Sequence, residues 1–535
     1  MIFIYYPLIL LSILGYGFFA SKKIIKLKNL NLGYQGIVGI FFLLLISYIS
    51  TQFIAHGQVF NFLILLIGLS LFIFYFNKLN NDKTNIKLLI SITILSLIFI
   101  LVGKNHDDFH YYHFPYILTL TEYPHPLGFG NLNHGFKTHS SIFLLSSLFS
   151  LPAAKYNLFH LVPAYILVFS NFILIKLIFN KNISKNYIFV TFFSLSSLAF
   201  INIFFYRLGE HGTDRSAMVL IILLMVNYIY FINKKTETIN TDYLKIFTII
   251  FTIIISLKAL YIIYIILFFP LIIYVYKKTK SINLFFDKNL FYCLLLLGLV
   301  VLTNFFNTGC LLFPEKKTCF FNTSWSLSLN TVEYLSVHYE NWAKAGSGAG
   351  YSLKDIDKLN YISNFNWIEN WMDRYFFNKV SDFLYSLVFM ITIFIVLFKS
   401  SKSLKIFERN YKLLLALLFL IFIVWFSLHP LLRYGGYHLF FLIAFIPISF
   451  LLERFSKDIK NLDRKILIIV IITALIFIGR NANRLVKEYK INSYNPFINI
   501  SYPLREESFR IQKRIEKMIN EKKAKKIYKN RYIVF

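Results

Sequence analysis

The chain has 535 residues, of which 57% are hydrophobic, 19% aromatic and only 15% charged, with a formal net charge of +30. A soluble domain has about a quarter of its residues charged, so the composition excludes an ordinary soluble globular protein. The positive excess lies mostly on short segments between apolar runs, as in the cytoplasmic loops of membrane proteins. Membrane lipids are therefore expected partners, and nucleic acid is not.

Apolar runs occur at about 2–20, 35–54, 59–77, 88–103, 138–152, 157–179, 187–206, 216–232, 246–276, 289–305, 383–398, 412–428, 438–452 and 466–479. Most approach the roughly 20 residues that cross a bilayer as a helix. The pattern predicts an all-α polytopic membrane protein, a bundle of about 13–14 transmembrane helices with a short polar C-terminal region. No cleavage site follows the first run, so 2–20 reads as a helix rather than a signal peptide.

Lysine clusters assign the sides. Lys22, Lys23, Lys26 and Lys28 follow the first run, Lys78, Lys83 and Lys87 the third, and Lys277, Lys278 and Lys280 mark a later turn. Placing these and the remaining basic loops inside requires two adjustments. Residues 246–276 fold as a tight hairpin turning at Lys258, and 138–152 forms an interfacial or re-entrant helix broken at Pro152. The segments 104–137, 207–215, 306–382 and 429–437 then share the outer face.

The chain divides into N-terminal helices (1–103), a first external loop with its interfacial helix (104–155), central helices (156–305), a large external loop (306–382), C-terminal helices (383–479) and a basic tail (480–535). In the large loop, Gly346-Ser347-Gly348-Ala349-Gly350 follows no strand and precedes no Gly-Lys-Ser/Thr, so it reads as a flexible lid, not a phosphate loop. Trp367, Trp371, Tyr375 and Phe376 suggest an amphipathic helix at the interface. Cys293 sits in an apolar run as a packing residue. Cys310 and Cys319 bracket a polar segment; bridged or free, they are not decided by spacing, and a bridge requires an oxidising compartment.

Chemistry concentrates in the outer segments. The first contains Asp107-Asp108-Phe109-His110-Tyr111-Tyr112-His113-Phe114-Pro115. Adjacent carboxylates repel, so one holds its proton unless a cation lies close. A divalent cation is the one cofactor to consider; the sequence leaves metal and cofactor otherwise unknown, and His106, His110, His113, His125, His134 and His139 show no zinc spacing. The second segment holds Glu210, His211, Asp214 and Arg215, where Asp214 is either a helix cap or part of a second acidic site. Lys258 either snorkels or binds an anion. The fourth segment carries Arg433-Tyr434-Gly435-Gly436, and the planar guanidinium of Arg433 suits phosphate oxygens.

An acidic residue four positions before Tyr112-His113-Phe114-Pro115, just after an apolar run, resembles the first external loop of the GT-C superfamily of membrane glycosyltransferases. The closest likeness is to bacterial members that use polyprenyl-phosphate sugars, the PMT/ArnT/RgtA-like clan. About four helices precede this loop here, where many relatives have one. The resemblance implies a GT-C-like fold in the bacterial inner membrane with an extracytoplasmic active face. It implies a sugar moved from a polyprenyl-phosphate donor to a glycan or lipid acceptor, with Asp108 as base. Asp107 and Glu210 are its acidic companions. Arg433, Lys258, Tyr434 and His113 would face the donor phosphate, and His211, Asp214 and Tyr112 the acceptor or a second acidic site.

Two other readings stay open. An O-antigen ligase or polymerase type of protein would rely on Arg433 or His338 rather than Asp108. A transporter of lipid-linked glycans would need ionisable residues near helix midpoints, of which Lys258 is the one evident case.

Overall fold

Among the described residues, eleven helices are long and apolar enough to cross a membrane: Ile2–Ile24, Leu32–Thr51, Gln58–Phe76, Lys83–Ile100, Tyr156–Ile178, Gly212–Ile232, Ala259–Thr279, Lys288–Thr308, Ile368–Phe398, Tyr411–Leu428 and Gly436–Glu453. The shorter apolar helix Ile188–Phe204 accompanies them. The computed structural model describes residues 1–28, 30–76, 83–102, 108–181, 183, 187–208, 212–233, 241–346, 357–399, 409–455, 461–495, 509–521, 524–528 and 531–534. The chain is an all-α polytopic membrane protein. Three of the apolar runs are not among these eleven. Residues 138–152 yield only the seven-residue helix Ser141–Ser147. Residues 187–206 yield the 17-residue helix Ile188–Phe204, and 466–479 lies inside the 31-residue helix Leu462–Asn492; run 246–276 contributes the span Ala259–Thr279 beside the 17-residue helix Thr241–Leu257.

Burial sorts the helices. Gly212–Ile232, Tyr156–Ile178 and Leu32–Thr51 are enclosed by their neighbours, whereas Gln58–Phe76 and Lys83–Ile100 are buried over only a minor part of their length. Hydrophobic attraction between helices is weak in lipid, so close backbone approach matters there. Gly15 faces the backbone of Gly68, and Gly39 faces that of Ile13. A methyl group at either position would collide with main chain, which is why these first helices carry glycine at their crossings.

Side chains also set helix ends. Asn31, Asp287, Ser328 and Asp357 accept hydrogen bonds from free backbone amides at the starts of their helices. Residues 246–276 reverse direction at Lys258: Phe247 and Phe251, before it, both meet Phe268, ten residues after it, edge-on at 5.0 Å. The last carbonyls of Thr241–Leu257 are satisfied from outside the helix. Ser140 Oγ donates to the Leu257 carbonyl (2.8 Å) and Ser141 Oγ to that of Ser256 (2.7 Å).

Residues 306–382 do not form one loop apart from the bundle. The helix Ile368–Phe398 begins well before the apolar run at 383. Its early aromatic residues turn inward: Trp367, Trp371 and Tyr375 are buried. Cys310 and Cys319 are bridged, and Cys293 is buried and free. Beyond Leu462–Asn492 come the helix Arg510–Asn520 and a small antiparallel hairpin, Ala524–Tyr528 with Arg531–Val534.

Candidate functional site

Four separate loop segments and the Lys258 turn line one polar cavity of about 530 Å³. Asp108, Tyr111, Tyr112 and His113 enter from the first segment and Thr213, Asp214 and Arg215 from the second. His338, Tyr339 and Trp342 come from the helix Leu329–Lys344, with Tyr375 and Lys379 from the start of the next span. Arg433, Tyr434 and Tyr437 complete the wall.

The acidic segment winds as a π-turn, Phe109–His113, and continues into the helix Phe114–Glu122. Pro115 stands in the first turn of that helix, where no amide donor is needed. The wider π-turn brings positions 108, 111, 112 and 113 to one side, an arrangement that recurs at functional sites. Asn133 Nδ2 donates to the Tyr111 carbonyl (2.9 Å). Gly135 lies against the Tyr112 ring, with no room there for a β-carbon. Tyr112 stacks edge-on with His113 at 4.3 Å. Burial, reinforced by the Asp108 and Asp214 carboxylates, raises the Tyr112 phenol, so it stays a hydrogen-bond donor.

Asp214 sits in the first turn of Gly212–Asn233. Its carboxylate reaches Lys258 Nζ at 2.7 Å. Lys258 itself has extended backbone (φ −151°, ψ 104°) between two helical stretches, and its ammonium lies 5.1 Å from the Tyr434 ring centroid. Burial opposes the Lys258 charge, but Asp214 and Tyr434 outweigh it and raise its pKa.

The Arg433 turn is held by aromatic side chains. Trp371 Nε1 donates to the Pro430 carbonyl (2.9 Å), Trp425 Nε1 to that of Leu431 (3.1 Å), and the Leu432 amide to Tyr375 Oη (2.9 Å). Gly435 follows at φ +139°, a conformation that favours glycine. Arg433 Nη2 donates to Tyr434 Oη at 3.0 Å. Burial disfavours the guanidinium charge, yet Tyr434, Asp214 and Asp108 hold its pKa above the usual arginine value.

Next to the polar cavity, across Tyr434, is a small apolar pocket of about 30 Å³ between 259–267 and the helix Arg409–Leu428. Leu260, Ile263 and Leu428 form part of its wall, while Ile262, Ile265 and Ile423 are exposed nearby on the same elements. His429, at its edge, is pushed down to about 4 by burial and is neutral.

Of the residues singled out from sequence, Asp108, Tyr112, His113, Asp214, Lys258, Arg433 and Tyr434 line the one cavity. Asp107, Glu210, His211 and the glycine-rich 347–350 lie outside the described residues. The loop histidines disperse. His125 and His139 join Tyr116 in a buried network (3.2 Å each), and Asn307 Nδ2 donates to the same phenol at 3.2 Å. Among the described residues, no three His, Cys, Asp or Glu converge as for a metal ion. Sequence reading passed over Tyr339, Trp342, Lys379 and Tyr437 as site residues, and gave Arg215, named beside Asp214, no role in the site. The spacing of His338 and Trp342, one turn apart on a polar helix, was the available signal.

No curated protein and no solved structure matches the chain. A family model described as a domain of unknown function matches residues 1–441, and the chain belongs to that family, DUF8201.

Proposed function

We propose that the protein is a membrane glycosyltransferase that moves a sugar from a polyprenyl-phosphate-linked donor to a glycan or lipid acceptor. The observation that carries this reading is the shared cavity of Asp108, Asp214, Lys258 and Arg433. It offers a carboxylate for an acceptor proton, and cations for a departing phosphate. In the proposed step the acceptor hydroxyl gives its proton to Asp108 and its oxygen attacks the anomeric carbon. The bond from that carbon to the phosphate oxygen breaks, and the electron pair stays on the phosphate. Lys258 and Arg433 hold the growing negative charge. Tyr112, kept protonated, donates to an oxygen of either substrate.

The apolar pocket across Tyr434 supports the lipid part of the reading, because it places lipid-facing side chains beside the phosphate-binding cations. The Cys310–Cys319 bridge supports an extracytoplasmic active face, since disulfides persist in oxidising compartments. That face would be periplasmic in a bacterial inner membrane.

The test is Asp108→Asn assayed for sugar transfer from labelled polyprenyl-phosphate sugars. Loss of a general base reduces the rate by about 10²–10⁴-fold, and the variant should remain in the membrane at wild-type level. Full activity would overturn the role of Asp108. His338, on the cavity wall, favours a second reading, the O-antigen ligase or polymerase type. There, Asp108→Asn stays active while His338→Ala or Arg433→Ala does not.

A further inference from the structure

The described lining of the cavity is more basic than a single phosphodiester requires. Among its described lining residues, the cations Lys258, Arg433, Arg215 and Lys379 face two carboxylates, Asp108 and Asp214. Burial pushes the lining histidines His134 and His338 below the usual histidine value, which favours their neutral forms, so the balance rests on Lys, Arg and Asp alone. An excess of two positive charges remains.

The three innermost cations form two groups. Lys258 and Arg433 share the Tyr434 ring, 5.1 and 4.9 Å from its centroid. Arg215 is held elsewhere, 5.9 Å from the Phe205 ring and 5.8 Å from that of Tyr437. Tyr434, in the turn Leu432–Tyr434, and Tyr437, in the helix after Gly435, thus hold the cations as two separate groups on the wall of one cavity. The nearest carboxylate in sequence to Arg215 is that of Asp214, and it is taken by Lys258. Arg215 Nη1 is buried with no hydrogen-bond partner among the described residues. A desolvated guanidinium donor left open is costly unless a ligand completes it. Arginine also offers a planar fork suited to two phosphate oxygens.

Resting on the glycosyl-transfer reading, we propose that the carrier is linked through a diphosphate, one phosphate held by Lys258 and Arg433 and the other by Arg215. A diphosphate diester carries two negative charges and spans the gap between the two groups. A monophosphate diester carries one charge and leaves Arg215 unsatisfied. The bonds made and broken are those given above. Asp108 takes the acceptor proton, the sugar–oxygen bond to the nearer phosphate breaks, and the released polyprenyl diphosphate gains one negative charge. Lys258 and Arg433 thus face the phosphate on which that charge develops, and Arg215 anchors the other.

The experiment compares binding of a polyprenyl monophosphate and the polyprenyl diphosphate of equal chain length. The full-length protein is held in nanodiscs, and binding is read by native mass spectrometry. The wild type should hold the diphosphate at least about tenfold more tightly, the scale of one charge-assisted bidentate contact. In Arg215→Gln the ratio should fall towards one, and Arg215→Lys should keep part of it. Equal affinities in the wild type, which need no variant, would overturn the diphosphate assignment and leave glycosyl transfer from a monophosphate standing. A preference that persists in Arg215→Gln would remove Arg215 from the subsite. Binding of neither lipid would overturn the transfer reading itself.

Discussion

Lys258 illustrates how a residue's meaning in the sequence depends on its partner. Alone between two apolar half-runs, it admits snorkelling and anion binding equally. The structure gives it Asp214 at 2.7 Å and the Tyr434 ring, so its charge is anchored inward. Asp214 changes meaning by the same contact: its carboxylate is turned to a lysine from a turn distant in sequence. Such a pairing leaves no trace in a single sequence, because 44 residues separate the two positions. Both side chains are partly exposed, so removing one partner should destabilise the fold by about 1.5–3 kcal/mol, the range for hydrogen bonds to charged groups. Thermal unfolding of Lys258→Met, Asp214→Asn and the double variant in detergent would measure it; the double variant should lose less than the two single ones together. Arg433 is different, because its neighbours Pro430, Gly435 and Gly436 already announce a turn. Gly435→Ala meets φ +139° and should cost about 1–3 kcal/mol of strain, displacing Arg433 and weakening phosphate binding in a lipid-phosphate titration.

At the scale of elements, apolar periodicity located the spans but not their ends. The helix Thr241–Leu257 stops inside the protein because Ser140 and Ser141 supply the donors that its last carbonyls lack. Those serines stand in a segment legible only as a broken apolar run. Ser140→Ala with Ser141→Ala should leave buried carbonyls open at about 1–3 kcal/mol each, lowering the thermal unfolding temperature and loosening the Lys258 turn. The aromatic residues at 367–376 misled for a related reason. A dense aromatic cluster after a polar loop fits an interfacial helix by composition, but Trp371 Nε1 and Tyr375 Oη are committed to the Arg433 turn. The tail helix Arg510–Asn520 also has a definite berth. Gln512 Nε2 donates to the Pro115 carbonyl (3.3 Å), Arg514 Nη1 to that of Leu132 (2.9 Å), and Phe509 meets Phe114. Burial, together with the charge of Glu516, pushes Glu122 on the underlying helix up to about 7. A carboxyl with a raised pKa binds its proton more tightly when docked. Its stabilising contribution is complete below the ordinary value of 4.5 and is lost as pH rises through about 7. Hydrogen-exchange protection factors for 510–520 should therefore fall between about pH 5 and pH 8, and Glu122→Gln should flatten that fall.

For the whole molecule, the most legible property was the convergence of the motif-bearing loops. Lysine asymmetry placed four segments on one side, and those four segments wall a single cavity. The number of spans was less legible, since run length does not reveal that 466–479 belongs to a 31-residue helix. If the cavity faces outward, a cysteine in place of the exposed Phe320 should react with a membrane-impermeant maleimide in intact cells. One in place of Lys277 should react only after permeabilisation, and the Cys310–Cys319 bridge should slow gel mobility on reduction. The helix Leu462–Asn492 has a consequence for assembly. At 31 residues it extends about 46 Å, beyond the roughly 30 Å of a hydrocarbon core. Arg480 Nη1 donates to the Ile203 carbonyl at 2.7 Å, level with the loop end of the bundle. The chain is thus delivered to the side of the cavity only after every span has been synthesised, and only then can Arg510–Asn520 settle against Phe114–Glu122, the helix behind Asp108. Birth order and spatial order run opposite here: the acidic turn emerges early from the ribosome, and its backing emerges after the last helix has entered the membrane. A stalled or truncated chain would carry every cavity-lining residue and still lack the support beneath its carboxylate.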